Sequence, residues 1–218
     1  MKTTAIIWDL DGTILDTLQD LTDATNYILS TYGLPLRTMG EIRRFVGNGA
    51  RNQMRLALPG KVDDPDLEEV LAAYQAYYAD HCQIHTRPYD GILEVLGELS
   101  RQYPMAVVSN KPDKAVKTLA SHYFPGIYAV GQHPGCPRKP APDMVWQTME
   151  KLGVERCIYV GDSEVDIATA KAAGVPCLSV TWGFRDRDRL EQEGGQWFCD
   201  EVSRLPGTLA QMEEHYGK

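Results

Sequence analysis

The sequence has no apolar run approaching the ~18 residues that a membrane-spanning helix needs. Asp9 also interrupts the N-terminal MKTTAIIW before it could serve as a signal-peptide core. Positive charge is in deficit: the formal net charge is −8, which argues against a broad surface for nucleic acid or for an anionic membrane. There is no C-x-x-C pair. Cys82, Cys136, Cys157, Cys177 and Cys199 are odd in number and scattered, as expected of free thiols in a cytoplasmic protein. His81-Cys82 with His85, and His133-x-x-Cys136, lack the spacing of a tetrahedral zinc set. Internal repeats and low-complexity tracts are missing too. What remains is a chain of 218 residues with ordinary apolar and charged fractions, long enough for one or two domains.

Short apolar runs bounded by turns recur at Ala5–Trp8, Met105–Val108, Ile127–Val130, Cys157–Val160 and Cys177–Val180. Most are continuous rather than alternating, which predicts strands covered on both faces. Helical patterns lie between them, at Ile92–Leu99, Ala115–Tyr123, Val145–Leu152 and Ile167–Ala173. This alternation predicts an α/β fold with a doubly wound, mainly parallel, Rossmann-like sheet. From Thr17 to Gln83 the pattern is helical throughout, so residues 16–87 are expected to form an inserted helical cap domain. Residues 1–15 and 88–218 would form the core. The junctions Gly12–Asp16 and His85–Tyr89 would then make a two-stranded hinge, with Thr17-x-x-Asp20 a capping box opening the first cap helix. The Tyr74, Tyr77 and Tyr78 cluster reads as packing, and Asp63-Asp64 and Glu68-Glu69 as solvated faces.

The first strand ends in IIWDLDGTILDT, residues 6–17. Two carboxylates, Asp9 and Asp11, stand at its mouth. A calcium loop of the EF-hand type would need glycine sixth and glutamate twelfth, where this chain has Ile14 and Asp20. Ser109-Asn110, Lys139-Pro140 and Gly161-Asp162-Ser163 with Asp166 fall at the ends of later predicted strands, which converge near the first in a doubly wound sheet. Unit charges 4 Å apart repel by about 4 kcal/mol at an effective dielectric near 20, so a cluster of acids there calls for Lys139 and a divalent cation. Magnesium suits best, since it binds through one or two carboxylates and shares oxygens with a phosphate. Metal, lysine, hydroxyl and a helix start at Pro112 describe a phosphate pocket, beside which an aspartate can act as nucleophile. Ser163-x-x-Asp166 also reads as a capping box.

DLDGT (9–13), Ser109-Asn110, Lys139-Pro140 and GDSEVD (161–166), in that order and across nearly the whole chain, resemble the haloacid dehalogenase superfamily. The resemblance implies that Asp9 attacks phosphorus, and that Asp11 protonates the leaving oxygen and then activates water. It implies magnesium held by the Asp9 carboxylate, the Asp11 main-chain carbonyl and Asp162, with Asp166 in support. Ser109 and the Asn110 main chain would hold the phosphate with Gly12 and Thr13, and Lys139 would brace phosphate and Asp9. An acid at Asp11 implies phosphate-ester chemistry, because an alkoxide leaving group needs a proton. VGNGA (46–50), TRPYDG (86–91) and SNKP (109–112) are most similar to the phosphoglycolate phosphatases, and the glycine-rich turn would let Asn48, main-chain amides and Arg51 approach the substrate from the cap. The expected partner is a small phosphorylated metabolite bound by a monomer or homodimer. A phosphomutase or pyrophosphatase of the same superfamily, or a non-catalytic phosphate binder, is the alternative.

Overall fold

The structure is a computed structural model that describes residues 4–60 and 64–216; Asp63 of the Asp63-Asp64 run lies outside them. Six parallel strands form one sheet: β1 (Thr4–Trp8), β4 (Met105–Pro112), β5 (Tyr128–Gln132), β6 (Arg156–Gly161), β7 (Cys177–Val180) and β8 (Trp197–Cys199), in the order β5-β4-β1-β6-β7-β8. The doubly wound parallel core expected of the sequence is therefore what the chain forms. β1 lies between β4 and β6. The chain builds β4 and β5 to one side of it and then crosses to the other, which makes the carboxyl end of β1 the crevice where such sheets bind ligands.

β1 is wholly buried because it is covered on both faces. Ile6 and Trp8 point into the larger apolar cluster, with α5 (Ile92–Leu99), α6 (Asp113–Tyr123) and α10 (Leu205–Tyr216). Ala5 and Ile7 point into the smaller one, with α7 (Asp143–Leu152) and α8 (Glu164–Ala173). That is the two-residue alternation of a strand. Each of Ile6, Ile7 and Trp8 is shielded completely, and burying one such side chain is worth roughly 1.5–3 kcal/mol. Several predicted elements begin or end a few residues away from their expected bounds. β8, α10 and the short α9 (Arg187–Gln192) carried no signal in the sequence reading.

Between β2 (Leu15–Asp16) and β3 (Arg87–Pro88) the described chain holds α1 (Leu18–Thr31), α2 (Met39–Phe45), α3 (Gly49–Ala57) and α4 (Asp64–His81). β2 and β3 pair antiparallel, Leu15 with Pro88 and Asp16 with Arg87, so the way into the helical insert and the way out are tied together. The expected Thr17/Asp20 capping box is not made. Thr17 forms no side-chain cap bond and donates instead to Asp11 Oδ1 at 2.7 Å. Asp20, buried, accepts from the main-chain amides of His85 (2.8 Å) and Thr86 (2.9 Å). A buried carboxylate bonded to two amides of a distant segment outcompetes a local cap. Tyr123 adds a hydroxyl bond to the Thr86 carbonyl. Replacing Asp20 by Ala strands both amides and is expected to cost about 2 kcal/mol or more, read as a lowered urea midpoint with an unchanged slope.

Candidate active site

At the carboxyl end of β1 two acids meet two lysines, one each. Asp9 closes the strand, its amide bonded to the Val160 carbonyl of β6. Its Oδ1 accepts from Lys139 Nζ at 2.8 Å. Asp11 Oδ1 accepts from Lys111 Nζ at 2.7 Å and from the Thr17 hydroxyl. Lys139 comes from the loop after β5 and Lys111 from the end of β4.

Lys139 is fully engaged. Its ammonium has three hydrogens, and they reach Asp9 Oδ1 and Asp166 Oδ1 at 2.8 Å each and the Tyr159 hydroxyl at 2.9 Å. Burial works against its charge, but Asp166 and Asp9 outweigh burial and hold its pKa well above the ordinary value. Lys139 was expected on the phosphate as well as on Asp9; it lies outside the cavity lining, and its donors are spent on the two acids and the phenol. Asp166 is likewise committed: Oδ1 to Lys139, and Oδ2 to the Ser163 amide (3.1 Å) and hydroxyl (2.6 Å). The expected capping box at the α8 N-terminus is formed, and the same carboxyl group accepts from Lys139.

Asp162 stands in a cradle made by small residues. Oδ1 accepts from the Thr13 hydroxyl (3.1 Å) and Oδ2 from the Phe184 amide (2.6 Å). Gly12 has φ +86°, and a Cβ there would fall 2.3 Å from Asp162 Oδ2. One on Gly183 would fall 2.4 Å from the same atom. Gly12 and Thr13 were expected on the phosphate. Neither lines the cavity, and their amides bond the Leu15 and Leu10 carbonyls; they serve Asp162 instead. Ser109 and Asn110 do line the cavity. The Asn110 side chain is spent on the Lys139 main chain, N (2.8 Å) and O (3.0 Å), and on the Gly47 carbonyl of the insert (3.0 Å).

The helical insert closes over these groups. The cavity between them holds about 40 Å³ and is lined from above by Leu21, Val46, Gly47, Gln53, Tyr74 and Tyr78. Two arginines cross the seam in opposite directions. Arg43 of α2 donates to the Gly183 (2.8 Å) and Phe184 (2.9 Å) carbonyls. Arg185 donates to the Arg43 (2.9 Å) and Val46 (2.8 Å) carbonyls and is held by Glu164. Of the expected insert residues, Asn48 is the N-cap of α3 and is not in the lining, although Gly47 and Gly49 beside it are. Arg51 bonds Glu68 on the exposed side. The tyrosines read as packing do pack, but Tyr74 and Tyr78 also face the cavity. Lys111 was missed as a site residue. The signal available was its place: two residues after Ser109, on the same face of the strand, at an end rich in acids.

Carboxylate oxygens of Asp9, Asp162 and Asp166 lie within 4.8 Å of one another, and Lys139 is the cation bonded among them. Burial pushes the Asp9 carboxyl up from 3.8 to about 7, against the pull of Lys139, and raises Asp162 well above its ordinary value. Such a set carries more negative charge than its surroundings offset. Hard oxygen donors of this kind fit a small divalent cation, with Asp9 and Asp162 the better ligands because both line the cavity whereas Asp166 does not.

The comparisons agree with this geometry. The family model described as haloacid dehalogenase-like hydrolase matches residues 6–180. The chain belongs to that family. It is 32% identical to phosphoglycolate phosphatase 1 of Pseudomonas aeruginosa, covering 96% of this chain and 80% of the relative. It is 33% identical to a phosphoglycolate phosphatase of Mesorhizobium japonicum, covering 88% and 89%. A solved structure from Lactobacillus delbrueckii subsp. bulgaricus, carrying a provisional phosphoglycolate phosphatase name, superposes with a TM-score of 0.86 at 38% identity, covering 94% and 97%. This haloacid dehalogenase-like hydrolase thus stands among the family's phosphatases.

The raised carboxyls fix the sign of a pH effect. A folded chain with Asp9 and Asp162 above their ordinary value keeps protons that the unfolded chain releases, so metal-free stability falls as pH rises from 3.8 towards about 7. A divalent cation should offset that loss. Magnesium is expected to raise the melting temperature more at about pH 7.5 than at about pH 4.5, reversibly with chelator, by scanning calorimetry. An equal rise at both pH values would count against these carboxylates as ligands.

Proposed function

We propose that the chain is a magnesium-dependent phosphomonoesterase, hydrolysing a small phosphorylated acid with 2-phosphoglycolate preferred, through a phosphoryl group carried on Asp9. The observation that carries the reading is the separation of the two acids. Asp9 is braced by Lys139, while Asp11 faces the cavity beside Lys111 and Thr17. Among the described residues the side-chain hydrogen bond of Asp9 is on Oδ1, which leaves Oδ2 as the attacking oxygen. It bonds to phosphorus as the ester oxygen leaves, and Asp11 gives that oxygen its proton. Asp11 then takes a proton from the water that attacks phosphorus, and the bond from phosphorus to Asp9 breaks. Ser109 Oγ and the Asn110 amide hold phosphoryl oxygens through both steps. Lys139 keeps Asp9 oriented, and Asp166 acts through Lys139 and Ser163. Asp9, Asp162 and the Asp11 carbonyl would hold magnesium, which would supply charge neutralisation at the phosphoryl oxygens.

The small cavity under the insert favours a short leaving group, and the relatives from Pseudomonas aeruginosa and Mesorhizobium japonicum are named as phosphoglycolate phosphatases. The closed seam would keep bulk water from the phosphoryl-aspartate. The test is phosphate release from 2-phosphoglycolate, hexose phosphates, nucleotides and pyrophosphate. Asp9→Asn is expected to abolish it, Asp11→Asn to lower kcat by about 10²–10⁴-fold, and chelator to remove it reversibly. Normal turnover by Asp9→Asn would refute the mechanism.

A further inference from the structure

Lys111 is a buried ammonium with hydrogens to spare. Its side chain is 2% exposed. It makes one hydrogen bond, to Asp11 Oδ1, and lies 4.6 Å from the centre of the Tyr78 ring. Lys139 spends all three hydrogens; among the described residues Lys111 leaves two of three without an acceptor. Tyr78 repeats the pattern, its hydroxyl being buried with no hydrogen-bond partner. Both residues line the one small cavity that also holds Asp9, Asp11 and Ser109. Leaving such donors dry and unpaired costs free energy, and here the unpaired donors border the space where a leaving group would lie.

We propose that Lys111, with the Tyr78 hydroxyl, is a subsite for an anionic group on the leaving-group half of the substrate, a carboxylate in the preferred case. The inference rests on the phosphatase reading and deepens it. Lys111 lies between Asp11 and helix α4 of the insert, whereas Ser109, Asn110 and Asp9 surround the phosphoryl position. A carboxylate one carbon from the ester oxygen would accept the spare hydrogens of Lys111 while that oxygen faces Asp11. Selection of a charged over a neutral leaving group then follows from one charge-assisted bond in a dry site.

The test compares 2-phosphoglycolate with its neutral counterpart, 2-hydroxyethyl phosphate, and with pyrophosphate, whose leaving group is also anionic. The parent enzyme is expected to favour one of the anionic substrates over the neutral ester by about 10–100-fold in kcat/KM, and which one it favours identifies the anion. Lys111→Met should bring that ratio to within about threefold of unity, whatever it does to the absolute rates through Asp11. Lys111→Arg should restore much of the ratio, and Tyr78→Phe should lower it partway. A ratio that survives in Lys111→Met, or a parent with no preference, overturns the subsite. Calorimetric binding of the same compounds to Asp9→Asn protein, with and without Lys111→Met, repeats the comparison without turnover. Absence of phosphate release by the parent would overturn the reaction, while the affinity ratios would still decide the subsite; Lys111→Gln replaces Lys111→Met if the latter does not fold.

Discussion

The three hydrogen bonds of Lys139 hold the site together. One ammonium joins Asp9 at the end of β1, Asp166 in the first turn of α8 and Tyr159 of β6, whose hydroxyl passes the chain of bonds to the Val108 carbonyl of β4. Three adjacent strands and a helix therefore share one buried charge. Removing either acid or lysine from such a cluster leaves its partners uncompensated in a dry place, which is far costlier than losing a surface pair. Asp9 is fixed twice, by its amide in the ladder to Val160 and by its carboxylate in this cluster.

Around that hub the fold brings carboxylates closer than side chains normally allow. Gly12, Gly161 and Gly183 make this feasible: a Cβ on Gly161 would meet Asp166 at 2.3 Å, and the other two would meet Asp162. The DxDG pattern thus has a steric meaning beyond its turn. Charge distribution divides the site in two. On the Asp9 side, three acids stand close together and the one fully bonded lysine reaches only two of them, an arrangement that draws in a cation. On the Asp11 side, one acid and one under-bonded lysine face the insert, an arrangement that draws in a polar leaving group.

Much of this was legible in the sequence because strand ends converge. Continuous apolar runs mark buried parallel strands, and whatever polar residue follows each run is delivered to one edge. That is how Asp9, Ser109 and Asp162 could be placed together from spacing alone, and the helical stretch after β1 separated from the sheet. What could not be read depends on contacts between segments far apart in the chain. Lys111 looks like any lysine until Asp11, 100 residues away, is set against it. Asp20 three residues after Thr17 reads as a local cap, and only the arrival of His85 and Thr86 diverts it. β8, three residues long amid polar sequence, has too little periodicity to register. Of the expected Asn48, Arg51 and main chain of the glycine-rich turn, it is the main chain that borders the cavity, at Gly47 (φ +117°) and Gly49 (φ +80°).

The crossed arginines at the seam have a further consequence. Arg43 and Arg185 each grip main-chain carbonyls on the other side, those of Gly183, Phe184, Arg43 and Val46. A carbonyl is present whatever side chain the residue bears, so these four contacts do not depend on the identity of the residues that accept them. Mutational drift can then rework the surface that the insert turns towards substrate while the two halves keep their register. Such a seam lets one catalytic floor be paired, over evolutionary time, with many different roofs.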